Sequence, residues 1–208
     1  MSIFSRITRR PIARTVIALT LASSLTLGAG AFAGQASAVA KVPPSEPTAT
    51  APNCLARVVG KAASGELQLS TPTCYATFGE VLQSAGYAVT DKRITATQAR
   101  DQGLIGLTSP IGGAVMALGG SGGIIGTHFD GFNYTGSSFS VWGNDCYGGY
   151  INLTGFWANR VSSTINGCPA VFHYFWQNMV GTSEATYGFG GNLSTLNNNS
   201  ESISYQGW

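Results

Sequence analysis

Two stretches of this chain, 45 residues apart, share a pattern that few folds accommodate. Residues 128–136 read "HFDGFNYTG" and residues 173–181 read "HYFWQNMVG", aligning His128 with His173, Phe129 with Tyr174, Tyr134 with Met179 and Gly136 with Gly181. The form aromatic-x-x-x-x-(aromatic or Met)-x-Gly therefore occurs twice. A second signature follows each copy: Asn159-x-x-Ser162 in "WANRVSS", then Asn199-x-x-Ser202 in "NNNSESIS". Two signatures in the same order, in two blocks of about forty residues, mark a duplicated supersecondary unit. Four strands per block suit a Greek key. The glycine supplies a positive φ where the chain folds over, the aromatic pair packs beneath, and Asn and Ser hold the return loop through the backbone.

The texture around these motifs agrees. From Ile124 onward short alternating runs are separated by Gly and Asn: "SFSVWG" places Phe139 and Val141 on one side, and "YINL" sets Ile151 and Leu153 against Tyr150 and Asn152. "AVFHYFW" sets Phe172, Tyr174 and Trp176 against Val171, His173 and Phe175. Period-2 patterning with turn residues between runs predicts an all-β sandwich.

The paired signatures resemble those of βγ-crystallins: aromatic-x-x-x-x-aromatic-x-Gly followed by (Asn/Asp)-(Asn/Asp)-x-x-(Ser/Thr)-Ser. More narrowly, residues 124–208 look like the secreted actinobacterial proteins of peptidase inhibitor family I36. The resemblance implies two Greek keys forming a βγ-crystallin-like sandwich, and a secreted proteinase inhibitor whose targets are metalloproteinases. A fold of this kind serves many activities, so a non-inhibitory domain (structural, calcium-tuned, cell-wall-associated or toxin-like) is the alternative.

Upstream, "MSIFSRITRR PIAR" carries Arg6, Arg9, Arg10 and Arg14 with no acid, followed by an apolar run and small residues. Ala36-Ser37-Ala38 or Ala38-Val39-Ala40 fits a signal-peptidase site, so residues 1–38 read as an export signal and the mature protein as extracellular. "TRRPIAR" also resembles a twin-arginine signal. Residues 39–53 read as a Pro/Ala/Thr linker and 54–102 as a small disulfide-closed extension, α/β or helical, with a hairpin between its cysteines. Within it Thr77 and Glu80 form a capping box ahead of a helix stopped by Gly86, and "TATQARDQ" is a second helical segment. Residues 103–123 form a Gly-rich connection.

Charge and cysteine usage narrow the partners. From Lys41 onward the chain has seven Lys/Arg against nine Asp/Glu, which excludes a basic nucleic-acid surface. No membrane partner is expected after signal removal, and the protein is expected to be a monomer. Four cysteines in an exported chain make two disulfides. Three connectivities are open; the local pairs Cys54 with Cys74 and Cys146 with Cys168 are the expected ones, each stapling one unit. Neither pair has zinc-site spacing.

Candidate chemistry is sparse. "GGSGG" around Ser121 matches G-x-S-x-G literally but lacks the strand before it and the large sheet that a nucleophile elbow needs. His128 and His173 occupy equivalent positions and approach each other across the pseudo-twofold, but no third metal ligand accompanies them. No base–nucleophile pair is evident, so no catalytic residue and no enzyme are expected. Trp142, Trp157, Trp176 and Trp208 suit a glycan-binding face or, more simply, a core. For calcium, Ala158 stands where the first loop would have Asn or Asp, Ile203 is read as replacing the final Ser beside Asn198 and Asn199, and neither loop has an Asp. No cofactor is therefore expected beyond weakly held calcium. An inhibitory loop would be presented by the Cys146–Cys168 segment or by residues around Asn178–Thr182.

Overall fold

The computed structural model describes residues 45–106 and 122–207. The expected export signal, the start of the linker, most of the Gly-rich connection with Ser121, and Trp208 lie outside the described residues.

The chain from Gly123 onward is built as two successive four-strand blocks. The first comprises β4 (Gly123–Phe129), β5 (Ser138–Gly143), β6 (Tyr147–Asn152) and β7 (Ser163–Asn166). The second comprises β8 (Ala170–Trp176), β9 (Val180–Tyr187), β10 (Gly190–Asn192) and β11 (Ser202–Gln206). Each block contributes three strands to one sheet and its third strand to the other. The smaller sheet runs β6-β11-β8-β9, and the larger one contains β10-β7-β4-β5. Ile125, Val141, Ile151, Leu153, Val171, Ile203 and Tyr205 fill the space between the sheets, and Val141, Ile151, Leu153 and Val171 follow the alternation read from sequence.

The N-terminal segment extends this sandwich. Strand β1 (Asn53–Lys61) lies parallel to β5, with Asn53 opposite Ser138 and Arg57 opposite Trp142. It pairs antiparallel with β2 (Leu67–Leu69) and β3 (Thr73–Tyr75), completing a seven-stranded sheet. Cys54 and Ala56 face the core between the sheets, whereas Leu55 faces the other way. There it joins the buried sides of α1 (Phe78–Ser84) and α2 (Ala96–Asp101) together with Ile124, Phe129 and Ile165. The larger sheet is thus buried on both faces, which is why "GIIGTHF" reads as a continuous buried run rather than an alternating one. Both helices open on a closed capping box, Thr77 with Glu80 and Thr95 with Gln98.

Two sequence expectations change here. The last part of the linker is folded: Thr48 and Ala51 pair, and Ala51 belongs to the inter-sheet core. Phe175 does not continue the inward face of β8. The pairing with β9 shifts register between Tyr174 and Trp176, and Phe175 packs edge-to-face on Trp176 at 4.6 Å instead.

The structure contains the disulfides Cys54–Cys74 and Cys146–Cys168. The first joins directly opposed residues of β1 and β3. The second ties the start of β6 to the turn before β8, and so links the two blocks.

Candidate functional site

The duplicated turns are built from hydrogen bonds that repeat almost atom for atom. In the first block Asn133 and Tyr134 take φ of 54° and 64°, and Gly136 takes 80°; in the second, Asn178, Met179 and Gly181 take 60°, 62° and 86°. A Cβ on Gly136 would collide with Asp130 Oδ1, and one on Gly181 would come within 2.9 Å of Trp176 Cδ1. Two non-glycine residues per turn in the left-handed region need support, and side chains from elsewhere supply it. Ser163 Oγ accepts from the Tyr134 amide at 3.0 Å and donates to the Gly131 carbonyl at 2.6 Å. Ser202 Oγ does the same for the Met179 amide and the Trp176 carbonyl, again at 3.0 and 2.6 Å. Asn192 pairs with Asn133, and Asn152 with Asn178, each accepting a 2.7 Å bond from the turn amide. The sequence reading missed Asn133, Asn178, Asn152 and Asn192; the signal was an Asn at the matching place in each block.

This network corrects the register of the second signature. Ser163 faces Phe129, and Ser202 faces Tyr174, so Ser163 rather than Ser162 is the counterpart of Ser202. Asn159 then matches Asn198, not Asn199, and both take left-handed φ, 57° and 54°. The run Asn197-Asn198-Asn199 fits either register, and backbone conformation decides between them. Ile203 does not replace a loop serine; it lies one residue further on, in the core. The residue that departs is Glu201, the counterpart of Ser162 in the second block. Replacing Ser163 or Ser202 by Ala is expected to cost about 1 kcal/mol each in a denaturant titration, because each change leaves a part-buried amide and carbonyl without their partner.

The same loops carry the calcium expectation. They are bonded to each other: Asn159 N donates to the Ser200 carbonyl and Asn198 N to the Val161 carbonyl, both at 2.9 Å. Asn159 Nδ2 donates to Glu201 Oε1 at 3.1 Å, and Ser162 Oγ donates to Asn198 Oδ1 at 3.1 Å. Asn198 Oδ1 and Glu201 Oε1 are engaged in closing the fold, Asn197 Oδ1 is buried without a partner, and Glu201 is the one carboxylate in the set. That donor set does not fit a calcium ion, which takes six to eight oxygens, several of them charged.

His128 and His173 meet between the sheets, fully buried, with ring centroids 5.6 Å apart. Their surroundings differ. Thr164 Oγ1 donates to the Thr127 carbonyl, so it accepts from His128 Nδ1–H, and Nε2 accepts from the Tyr205 hydroxyl, both at 2.9 Å. Neither nitrogen of His173 has a hydrogen-bond partner, because Ile203 stands opposite it where Thr164 stands opposite His128. Burial holds the His128 pKa well below the usual histidine range, and the neighbouring His173 lowers it further. Burial lowers His173 to about 4 against a small opposing pull from Glu184. Burial thus favours the neutral form of both imidazoles, and among the described residues no group of three or more His, Cys, Asp or Glu converges on one point.

The three described tryptophans do not form one face. Trp157 is core, Trp142 carries the Arg57 guanidinium over its ring at 4.8 Å, and Trp176 is 52% exposed at the end of β8. Of the two expected presenting segments, the stretch from Cys146 to Cys168 is exposed at its start and in the connection between β6 and β7, at Thr154, Gly155, Asn159 and Arg160, and is buried through β7. Tyr147 is 80% exposed, and its backbone is held on every side. Its amide donates to Asp145 Oδ1 at 3.0 Å, its carbonyl accepts from Lys61 Nζ at 2.9 Å, and Gly148 N donates back to the Cys146 carbonyl at 3.1 Å. The preceding residue is disulfide-bonded. The Asn178–Thr182 segment is exposed too, beside Trp176, with its turn pinned by Asn152 and Ser202. No described helix is long and apolar enough to cross a membrane.

No protein-family model matches the chain, and no curated protein sequence matches it. Among solved structures, the crystal structure of the N-terminal domain of protein S is similar at 21% identity and a TM-score of 0.31, covering 38% of this chain and 91% of that one.

Proposed function

We propose that this chain is a secreted proteinase inhibitor on a two-key, βγ-crystallin-like scaffold, directed at metalloproteinases. The exchange of β6 and β10 between the sheets supports the Greek-key reading, and two disulfides suit an oxidising, extracellular compartment. The observation that carries the inhibitory reading is the Tyr147 turn: a large exposed side chain on a backbone fixed by a disulfide and three hydrogen bonds. Such a segment enters a protease cleft with little ordering cost. Once cleaved, its ends would stay in place and the cut would be slow to complete.

Titrating the mature protein against a thermolysin-type metalloproteinase, with a subtilisin-type serine protease beside it, tests the reading. Stoichiometric loss of the metalloproteinase activity is expected. Full activity of both enzymes at a molar excess of this protein would refute inhibition and leave a non-inhibitory secreted domain.

A further inference from the structure

A half-open cavity of about 550 Å³ lies between the N-terminal hairpin and the end of β6, away from the Tyr147 side chain. Its volume falls in the range that encloses small organic ligands, about 300–1,000 Å³. The inner wall is aromatic and aliphatic, formed by Phe139, Phe156, Trp157 and Leu69. The rim carries two carboxylates, Glu46 and Glu66, and among the described residues no Lys or Arg lines the space. Neither carboxylate forms an ion pair among the described residues. Glu66 is held by Asn152 Nδ2, which donates to its Oε1 at 2.9 Å. Glu46 lies against the turn at Gly155, whose φ of 56° leaves the backbone bare beside the carboxylate. Arg160, with its guanidinium 4.4 Å over the Phe156 ring, does not line the cavity.

An apolar, π-rich wall under two unpaired anions selects a particular chemistry. A neutral apolar ligand leaves both carboxylates unanswered, and an anion is repelled. An organic ammonium satisfies both features, since the apolar body covers the rings and the cation meets the carboxylates and the indole face. We infer that this cavity binds a small organic cation, a protonated amine on a flat apolar body. The site is formed only because β2 and the linker fold against the two-block sandwich, which gives residues 45–72 a role that the duplicated fold alone does not need. It is independent of the inhibitory reading.

Phenethylamine is the probe, with phenethyl alcohol as its neutral counterpart and 3-phenylpropionate as its anionic one. Binding is followed by the shift of the Trp157 indole N–H resonance in the full mature protein. Phenethylamine is expected to saturate the shift and to bind at least about fivefold more tightly than the alcohol, the size of a carboxylate and cation–π preference at a part-exposed site. The double variant Glu46→Gln, Glu66→Gln keeps the amide oxygens in place and should remove that preference. Thr71→Trp, on the exposed rim, should block the shift without touching the core. No saturable shift with the amine, equal binding of amine and alcohol, or an undiminished shift in Thr71→Trp would each overturn the inference.

Discussion

At pH 7 the variant His173→Leu is expected to be at least as stable as the wild type, and to have lost part of the wild type's sensitivity to mild acid, the part that His128 carries remaining. The buried His173 ring satisfies neither of its nitrogens, so an apolar side chain of similar size removes a desolvation penalty and breaks no hydrogen bond. The acid effect follows from linkage. In the folded protein His173 stays neutral down to about pH 4, whereas in the unfolded chain it takes up a proton near pH 6.5. Between those values the unfolded state binds more protons, so stability falls as the pH drops through that window and is fully restored above it. At about 1.4 kcal/mol per pKa unit, His173 alone contributes about 3 kcal/mol to that loss. His128 adds in the same direction. Urea titrations at pH 7, 5.5 and 4 are expected to show a slope against pH that the His173→Leu variant makes shallower, the remainder coming from His128. The contrasting variant, His128→Leu, should lose about 1–3 kcal/mol at pH 7, because it strands the buried Tyr205 hydroxyl. Equal costs for the two variants would show that the two halves of the core are not asymmetric in the way their hydrogen bonds indicate.

The second large effect concerns the Cys146–Cys168 disulfide. It closes a segment with a sequence separation of 22 residues, for which loop-closure entropy gives about 3 kcal/mol. The double variant Cys146→Ser, Cys168→Ser is expected to lose about that much, read from its denaturant midpoint. A functional consequence should accompany the loss. With the anchor beside Tyr147 gone, the turn can relax into a cleavable conformation, and the variant should change from inhibitor to substrate. Mass spectrometry after incubation with the target protease would then find cuts close to Tyr147. A variant that inhibits undiminished and stays intact would separate the disulfide from function.

The parts of this fold that were legible in the sequence are those set by local repetition. The aromatic and glycine positions recur because each block needs the same left-handed turn, and strand alternation recurs because successive side chains point to opposite faces of a sheet. What was not legible depends on single residues or on distant pairing. Three consecutive asparagines, Asn197 to Asn199, hid the register of the second loop, which backbone φ at Asn159 and Asn198 settles. The inequality of the two histidines rests on Thr164 facing one and Ile203 facing the other. The parallel pairing of β1 with β5 joins residues about 85 positions apart, and no local pattern announces it. Tyr147 is exposed because of the turn it ends, and nothing in "NDCYGG" separates that outcome from a buried aromatic.

The most direct measurement compares the inhibition constants of wild type and Tyr147→Ala against one metalloproteinase. Tyr147 is 80% exposed, so its removal should leave the melting temperature unchanged, surface substitutions of this kind staying within about 0.5 kcal/mol. If Tyr147 is the anchor that enters the protease cleft, potency should fall by at least about a hundredfold, the size of a hot-spot loss. Equal potency of the two proteins would contradict the assignment of this turn as the inhibitory segment.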